Sequence, residues 1–335
     1  MSTSEEMTPQ GITLVEGITQ ALAYELEKNP NLVVFGEDIG ANGGVFRATV
    51  GLQQRFGADR VLDTPLAESM LAGMAVGMAA QGLKPVFEIQ FMGFVYPAYD
   101  EIVNHISRLR NRTRGRLSCP MVIRIPCGGG IHAPEHHSES TEAIFAHTPG
   151  LRVVIPASPA RAYGLLLGAM RSDDPVIFLE PIRLYRKIKQ LVPDNGIALP
   201  IDKCFLLREG SDITLVTWGA CTHETLLVAH TLSEEGIEAE VIDVASIKPL
   251  DMETILASVE KTGRCVIIHE APRTCGVGAE IAAQLAEKAL TSLQAPVMRV
   301  TGYDTVMPLY RLEYEYIPSE QRILDTVKQV MAFGT

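Results

Sequence analysis

Residues 63–100 read DTPLAESMLAGMAVGMAAQGLKPVFEIQFMGFVYPAYD, and this stretch decides the fold. A short strand, Val61 to Asp63, runs into a helix over Met70 to Leu83, and a second strand, Pro85 to Ile89, follows at once. That alternation belongs to a parallel sheet wrapped by helices. The helix carries Gly73, Gly77 and Gly82 among Ala72, Ala75, Ala79 and Ala80, so it can approach another backbone closely at the expense of its own stability. Glu68 falls in its first turn, against an almost wholly apolar surface. An acid there complements the helix dipole; desolvated by its surroundings, it also suits a proton-sharing role. Both readings stand on the residues alone.

Working outward, Thr13 and Glu16 form a capping-box pair ahead of an apolar pattern at Leu14, Ile18, Ala21, Leu22 and Leu26, ended by Asn29-Pro30. Leu32 to Phe35 reads as a buried strand. Tyr99 to Arg110 reads as a helix, Met121 to Ile125 and Val153 to Ile155 as strands, Pro159 to Arg171 as a helix opened by Ser158, and Val176 to Leu179 as a strand. The pattern lapses in KIKQLVPDNGIALP, residues 187–200, where two prolines and an Asn-Gly pair mark a linker.

A second unit then repeats the alternation. Its strands are Ile213 to Thr217, Ala239 to Val244, Cys265 to His269 and Val297 to Val300. Its helices are Thr222 to Glu235, Met252 to Lys261, Ala279 to Leu290 and Gln321 to Met331. The expected architecture is α/β, two doubly wound units, with residues 1–186 and 205–335 joined by a linker over 187–204.

The 335 residues suit about two domains, and 47% hydrophobic with 21% charged residues is ordinary for a globular protein. A formal charge of −11 disfavours nucleic acid or an anionic membrane surface as a partner. The six cysteines include no C-x-x-C, so neither a zinc cage nor a dithiol pair is expected. The opening MSTSEEMTPQ has neither the apolar core of a secretory signal nor the basic character of a transit peptide, and a cytoplasmic location is expected. The longest low-polarity run, Met70 to Leu83, falls short of the roughly 20 residues a bilayer span requires.

Residues 128–140, GGGIHAPEHHSES, concentrate His132, His136 and His137 in one loop of a chain with eight histidines. Three readings compete: metal ligation, satisfaction of loop carbonyls, and acid/base or charge-stabilising work near neutral pH. No ligand spacing completes the first. Phe91, Phe94, Tyr96 and Tyr99 cluster just past a strand end, where ligands of open α/β sheets bind; a ring there can face a heterocycle or simply fill the core. Neither G-x-x-x-x-G-K-[ST] nor a strand-linked G-x-G-x-x-G occurs, and G-x-S-x-G is absent. Gly276-Val277-Gly278 reads as a helix entry. Arg108, Arg110, Arg112, Arg114 and Arg116 read as a solvated helix end or a subunit contact.

DTPLAES, EIQFMGFVYPAYDEI, PEHHSES, VVIPASP, DPVIFLEP, EGSDITLVTWGA, KTGRCVIIHEAPR and GYDT, in that order, resemble the β subunits of the decarboxylating component of 2-oxo-acid dehydrogenase complexes. The resemblance runs from NGGVFR, residues 42–47, to the final helix. FGEDIGANGGVFRAT and DTPLAES are most similar to the bacterial pyruvate-specific members; branched-chain 2-oxo-acid and acetoin members share many of these motifs.

The resemblance implies a pyrimidine-binding thiamine-diphosphate domain followed by a transketolase C-terminal-like domain. It implies thiamine diphosphate shared with an α subunit that holds the diphosphate and magnesium. The family's GDG and NN diphosphate motif is missing from this chain, as expected of the pyrimidine side alone.

Matched by position, Glu68 corresponds to the glutamate that hydrogen-bonds the pyrimidine ring nitrogen and promotes the imino tautomer, through which the thiazolium loses its proton. Phe94 matches the aromatic packed on the pyrimidine, Gln90 a second cofactor contact, and His137 the active-site histidine that assists reductive acyl transfer. A structural potassium ion in some relatives maps to Met121, Ala169, Met170, Ser172 and Asp174. Ser172 and Asp174 depart from the Asp and Asn found there. The implied partners are the α subunit, a second β subunit and a dihydrolipoyl acyltransferase with its lipoyl domain. The alternative of another class is a non-catalytic assembly subunit.

Overall fold

The computed structural model describes residues 11–334; the reading of MSTSEEMTPQ lies outside them. In chain order the strands are β1 (Leu32–Gly36), β2 (Val61–Asp63), β3 (Lys84–Glu88), β4 (Val122–Cys127), β5 (Arg152–Val154), β6 (Val176–Pro181), β7 (Phe205–Arg208), β8 (Ile213–Thr217), β9 (Ala239–Asp243), β10 (Ser246–Lys248), β11 (Cys265–Pro272) and β12 (Met298–Gly302). They form a 7-stranded sheet, ordered β10-β5-β6-β4-β3-β1-β2, and a 5-stranded sheet, ordered β12-β11-β8-β9-β7. All pairings are parallel except β5 with β10 and β7 with β9. The α/β, doubly wound expectation holds.

Period-two alternation sorts side chains between the faces of the larger sheet. Leu32, Val34, Val86, Val122 and Phe178 join the helices Leu14–Lys28 and Pro159–Arg171 in one core. Val33, Phe35, Phe87, Ile123 and Ile177 face the other way, under the helix Glu68–Ala80. That second core continues without a break into Val216, Trp218, Ile242 and Ile267 of the smaller sheet. The two units therefore share apolar contents. Strand β10 crosses between them, leaving the smaller unit to pair with β5 in the register Ser246 to Val154.

Residues 187–200 lie along the outside of the Pro159–Arg171 helix. The Leu199 amide donates to the Gly164 carbonyl at 2.8 Å. A Cβ at Gly164 would stand 2.6 Å from Leu199 Cγ, and one at Gly168 2.4 Å from the Leu199 carbonyl oxygen, so both positions need glycine for this close approach.

The expected helix from Tyr99 to Arg110 is broken. A 3-10 segment, Met92–Ala98, contains Pro97; one α turn, Tyr99–Glu101, a π turn, Ile102–Ile106, and a last α turn, Leu109–Arg112, follow. The π turn carries the Ser107 amide to the Ile102 carbonyl at 3.0 Å. It also brings the Ser107 carbonyl so close to Gly150, where φ is +88°, that a Cβ would fall 2.0 Å from it. Tertiary packing against residue 150 overrides the simple helix that the side chains suggest.

Candidate active site

Four neighbouring strands, β4, β3, β1 and β2, end on the same side of the larger sheet, and each releases a functional segment there. Glu37 follows β1, residues 64–67 follow β2, Gln90 follows β3, and the glycine-rich loop bearing His137 follows β4. The site is thus a consequence of parallel strand direction.

A small cavity at these ends is lined by Glu37, Pro65, Leu66, Glu68, Glu88 and Gln90. Glu68 is the first residue of its helix, whose N-cap, Ala67, makes no side-chain capping bond. The carboxylate therefore complements the exposed amides of the first turn. Its setting is not the almost wholly apolar one expected from composition: Glu68 is half-buried and shares the cavity with two other acids. Burial first, then the charges of Asp38 and Glu68, raise the Glu37 carboxyl above its ordinary pKa. Gln90 faces the same cavity and reaches the Glu37 carbonyl through Nε2 at 3.5 Å.

The close helix approach expected at Gly73, Gly77 and Gly82 does not occur within this chain. A Cβ at any of them meets nothing within 4 Å, and Gly73 and Gly77 are exposed beside Met70.

Phe94 and His137 form the adjoining wall. The His137 ring lies 4.3 Å from that of Phe91 and 5.1 Å from that of Phe94, edge-on to both. Phe91 is buried and belongs to the core, whereas Phe94 is half-buried, which separates the filling ring from the available one. Nδ1 of His137 is buried without a hydrogen-bond partner. A short 3-10 turn, Glu135–His137, sets the ring, and Gly93 lets it approach: a Cβ at Gly93 would fall 2.4 Å from the His136 carbonyl oxygen. Glu68 with Gln90 and Phe94 with His137 are thus two adjoining sets, joined through residues 90–94. The remaining loop histidines stand apart. His132 pairs through Nδ1 with Glu313 Oε2 at 3.0 Å, and His136 is exposed beside Glu135.

Beneath the cavity lies a buried network that the sequence reading missed. Arg124 donates through Nη1 to Glu88 Oε2 at 2.8 Å and, bidentately, to Glu180 at 2.7 and 2.9 Å. The Tyr185 hydroxyl donates to Glu180 as well. Burial, and behind it the Glu180 charge, raise the Glu88 pKa against the opposing pull of Arg124. A glutamate closing a buried apolar strand at its carboxyl end was the available signal, both at Glu88 and just past β1 at Glu37.

The positions matched to potassium gather where the Pro159–Arg171 helix ends. The Met121 carbonyl accepts from the Val176 amide at 3.0 Å, the Ala169 carbonyl from the Ser172 amide at 3.1 Å, and the Met170 carbonyl from Lys84 Nζ at 3.4 Å. Ser172 Oγ donates to the Asp174 carbonyl at 3.0 Å, while the Asp174 carboxylate turns to Arg110 Nε at 2.8 Å. A helix C-terminus rich in carbonyls suits a cation, and Lys84 already supplies part of that charge. Among the described residues no group of three or more His, Cys, Asp or Glu is placed to hold a metal ion, and no helix is long and apolar enough to cross a membrane.

Two parallel-sheet units sharing a core, with acids and an available aromatic at the strand ends, define a transketolase-type α/β chain. The transketolase pyrimidine-binding domain matches residues 10–187, and the transketolase C-terminal domain matches residues 202–323. The chain is 47% identical over 322 residues to the pyruvate dehydrogenase E1 component subunit beta of Bacillus subtilis, covering 96% of this chain and 99% of that one. The protein of the same name from Staphylococcus aureus (strain N315) is 46% identical over the same shares. A solved structure described as split gene transketolase, inactive beta4 tetramer, superposes with a TM-score of 0.80 at 25% identity, covering 97% of this chain and 100% of that one. The chain belongs to the family of pyruvate dehydrogenase E1 component beta subunits.

Proposed function

We propose that this chain is the pyrimidine-side half of a pyruvate dehydrogenase. It acts with an α subunit in the oxidative decarboxylation of pyruvate and the reductive acetylation of the lipoyl group of a dihydrolipoyl acyltransferase. The observation that carries this reading is the half-buried Glu68 carboxylate at a helix start, lining a cavity and making no side-chain hydrogen bond within the described residues. Such a group is free to take a ligand's nitrogen. Thiamine diphosphate, when bound, supplies the carbanion chemistry of the decarboxylation.

The residues fit the pyrimidine end of that cofactor. Glu68 holds a proton at the ring nitrogen, Gln90 offers an amide beside it, and Phe94 offers an aromatic surface. His137 brings a ring nitrogen to the same wall, suited to stabilise negative charge or move a proton during acyl transfer. Diphosphate and magnesium are assigned to the α subunit, and a second β subunit and the acyltransferase to the smaller unit, residues 205–335. Potassium, at Met121, Ala169, Met170, Ser172 and Asp174, is assigned a structural part only. The cytoplasm is the proposed location.

The test is Glu68→Gln in the complex reconstituted with the α subunit. Loss of a proton-sharing group lowers turnover by on the order of 10² to 10⁴. Full activity of that variant contradicts the role given to Glu68. A wild-type complex that decarboxylates nothing supports an assembly role instead.

A further inference from the structure

The loop that carries His137 is anchored at its base by two carboxylates from the smaller unit. The Gly129 amide donates to Glu270 Oε1 at 2.5 Å, and Ser140 Oγ approaches the same oxygen at 3.4 Å. One residue on, the Gly130 amide donates to Glu313 Oε1 at 2.6 Å, and the His132 amide donates to Glu313 Oε2 at 3.1 Å. Glu313 is 1% exposed, so this carboxylate is taken out of water and repaid by these N–H groups and by His132 Nδ1.

The glycines make this arrangement possible. Gly130 has φ +90°, and a Cβ there would stand 2.4 Å from Arg183 Cδ; one at Gly129 would stand 2.5 Å from Met307 Cε. The successive Gly129 and Gly130 amides turn to two different carboxylates, Glu270 and Glu313, an arrangement related to a backbone nest in which the anions are side chains of the protein itself. At its far end the loop closes through the Gly128 amide on the Glu139 carbonyl at 2.9 Å. His137 lies inside that closed segment.

We propose that Glu313 is a positioning residue: by holding the Gly130 and His132 amides it fixes the loop on which His137 meets Phe91 and Phe94, so the smaller unit sets the geometry of a site on the larger one. The proposal rests on the role given to His137 above. Glu270 assists, tied in turn to Arg183 at 3.3 Å.

The experiment compares Glu313→Ala, Glu313→Gln, His137→Ala and the Glu313→Ala/His137→Ala pair in the reconstituted complex, reading kcat, KM for pyruvate, thiamine diphosphate affinity and Tm. Displacement of a group by about 1 Å lowers turnover by up to ~100-fold, so Glu313→Ala is expected to lose between ~10- and ~100-fold in kcat with cofactor affinity held. Glu313→Gln, which keeps one acceptor for the Gly130 amide, recovers part of that loss. The pair is expected to be no slower than His137→Ala alone, because a lost positioner has nothing left to position. Losses that multiply, or an unchanged kcat in Glu313→Ala, overturn the proposal. If Glu313→Ala does not fold, the same comparison with Glu313→Gln decides. A fully active His137→Ala overturns instead the reading of His137 on which the proposal rests.

Discussion

Arg124 and Glu88 form an ion pair of 2.8 Å with side chains 1% and 3% exposed, directly beneath the cavity that Glu68 lines. Glu180 takes the rest of the guanidinium, so one cation serves two buried acids. Removing the cation leaves two buried acids, 3% and 0% exposed, without their shared partner. Arg124→Met is therefore expected to lose about 3–5 kcal/mol of stability at pH 7. Urea unfolding at pH 7 and at pH 5 checks this: the loss should shrink at the lower pH, because burial already raises the Glu88 carboxyl above its ordinary pKa and a protonated Glu88 no longer needs the cation. A loss below ~1 kcal/mol at pH 7 would show that the pair is not structural. Glu88→Gln should cost less, because Arg124 keeps Glu180.

His269 supplies an acid-sensitive element. Its ring is fully buried and stacked on Trp218 at 4.9 Å; burial first, then the Arg299 charge, push its pKa down from 6.5 to about 3. The unfolded chain takes up this proton before the folded one does. The stability it contributes is present above pH 6.5 and is lost as pH falls through about 3. His269→Phe keeps a stacking ring and removes the proton, so its Tm should fall less steeply than wild type between those pH values.

Asp243 acts with the opposite sign. Burial raises its pKa from 3.8 to about 7, so its contribution is present below pH 3.8 and lost as pH rises through about 7. The variant comparison separates the two groups where wild type alone does not. Equal acid slopes for wild type and His269→Phe contradict the assignment.

Potassium at the end of the Pro159–Arg171 helix should act through mass action on the folded state. At a concentration 100-fold above its Kd, one ion adds about 2.7 kcal/mol, enough to raise Tm by several degrees. Melting in potassium chloride against sodium chloride at equal ionic strength measures this. Equal Tm values would mean that the cationic side chains already there, Lys84 at 3.4 Å from the Met170 carbonyl and Arg110 at 2.8 Å from Asp174, suffice at this end.

The alternation of strands and helices was legible because buried parallel strands write continuous apolar runs. Thr13 with Glu16 and Ser158 marked their helix starts for equally local reasons, and both caps are present. Strands β7 and β10 were not legible. The first is a partly exposed antiparallel edge, and the second has three residues that gain meaning only by pairing with β5, some 90 positions earlier. The gathering of Glu68 with Gln90 and of Phe94 with His137 follows from strand order, so their positions could be named from the sequence while their shared side of the sheet could not. Arg124, Glu270 and Glu313 act through partners distant in the chain, and no local pattern announces them.

If this chain holds half of an active site, as proposed, turnover requires the α subunit. Carbon dioxide release from pyruvate, with thiamine diphosphate and magnesium present, should be measured for the chain alone, for the α subunit alone and for the two combined. Release is expected only from the combination. Turnover by this chain alone at a rate comparable to the mixture would contradict it.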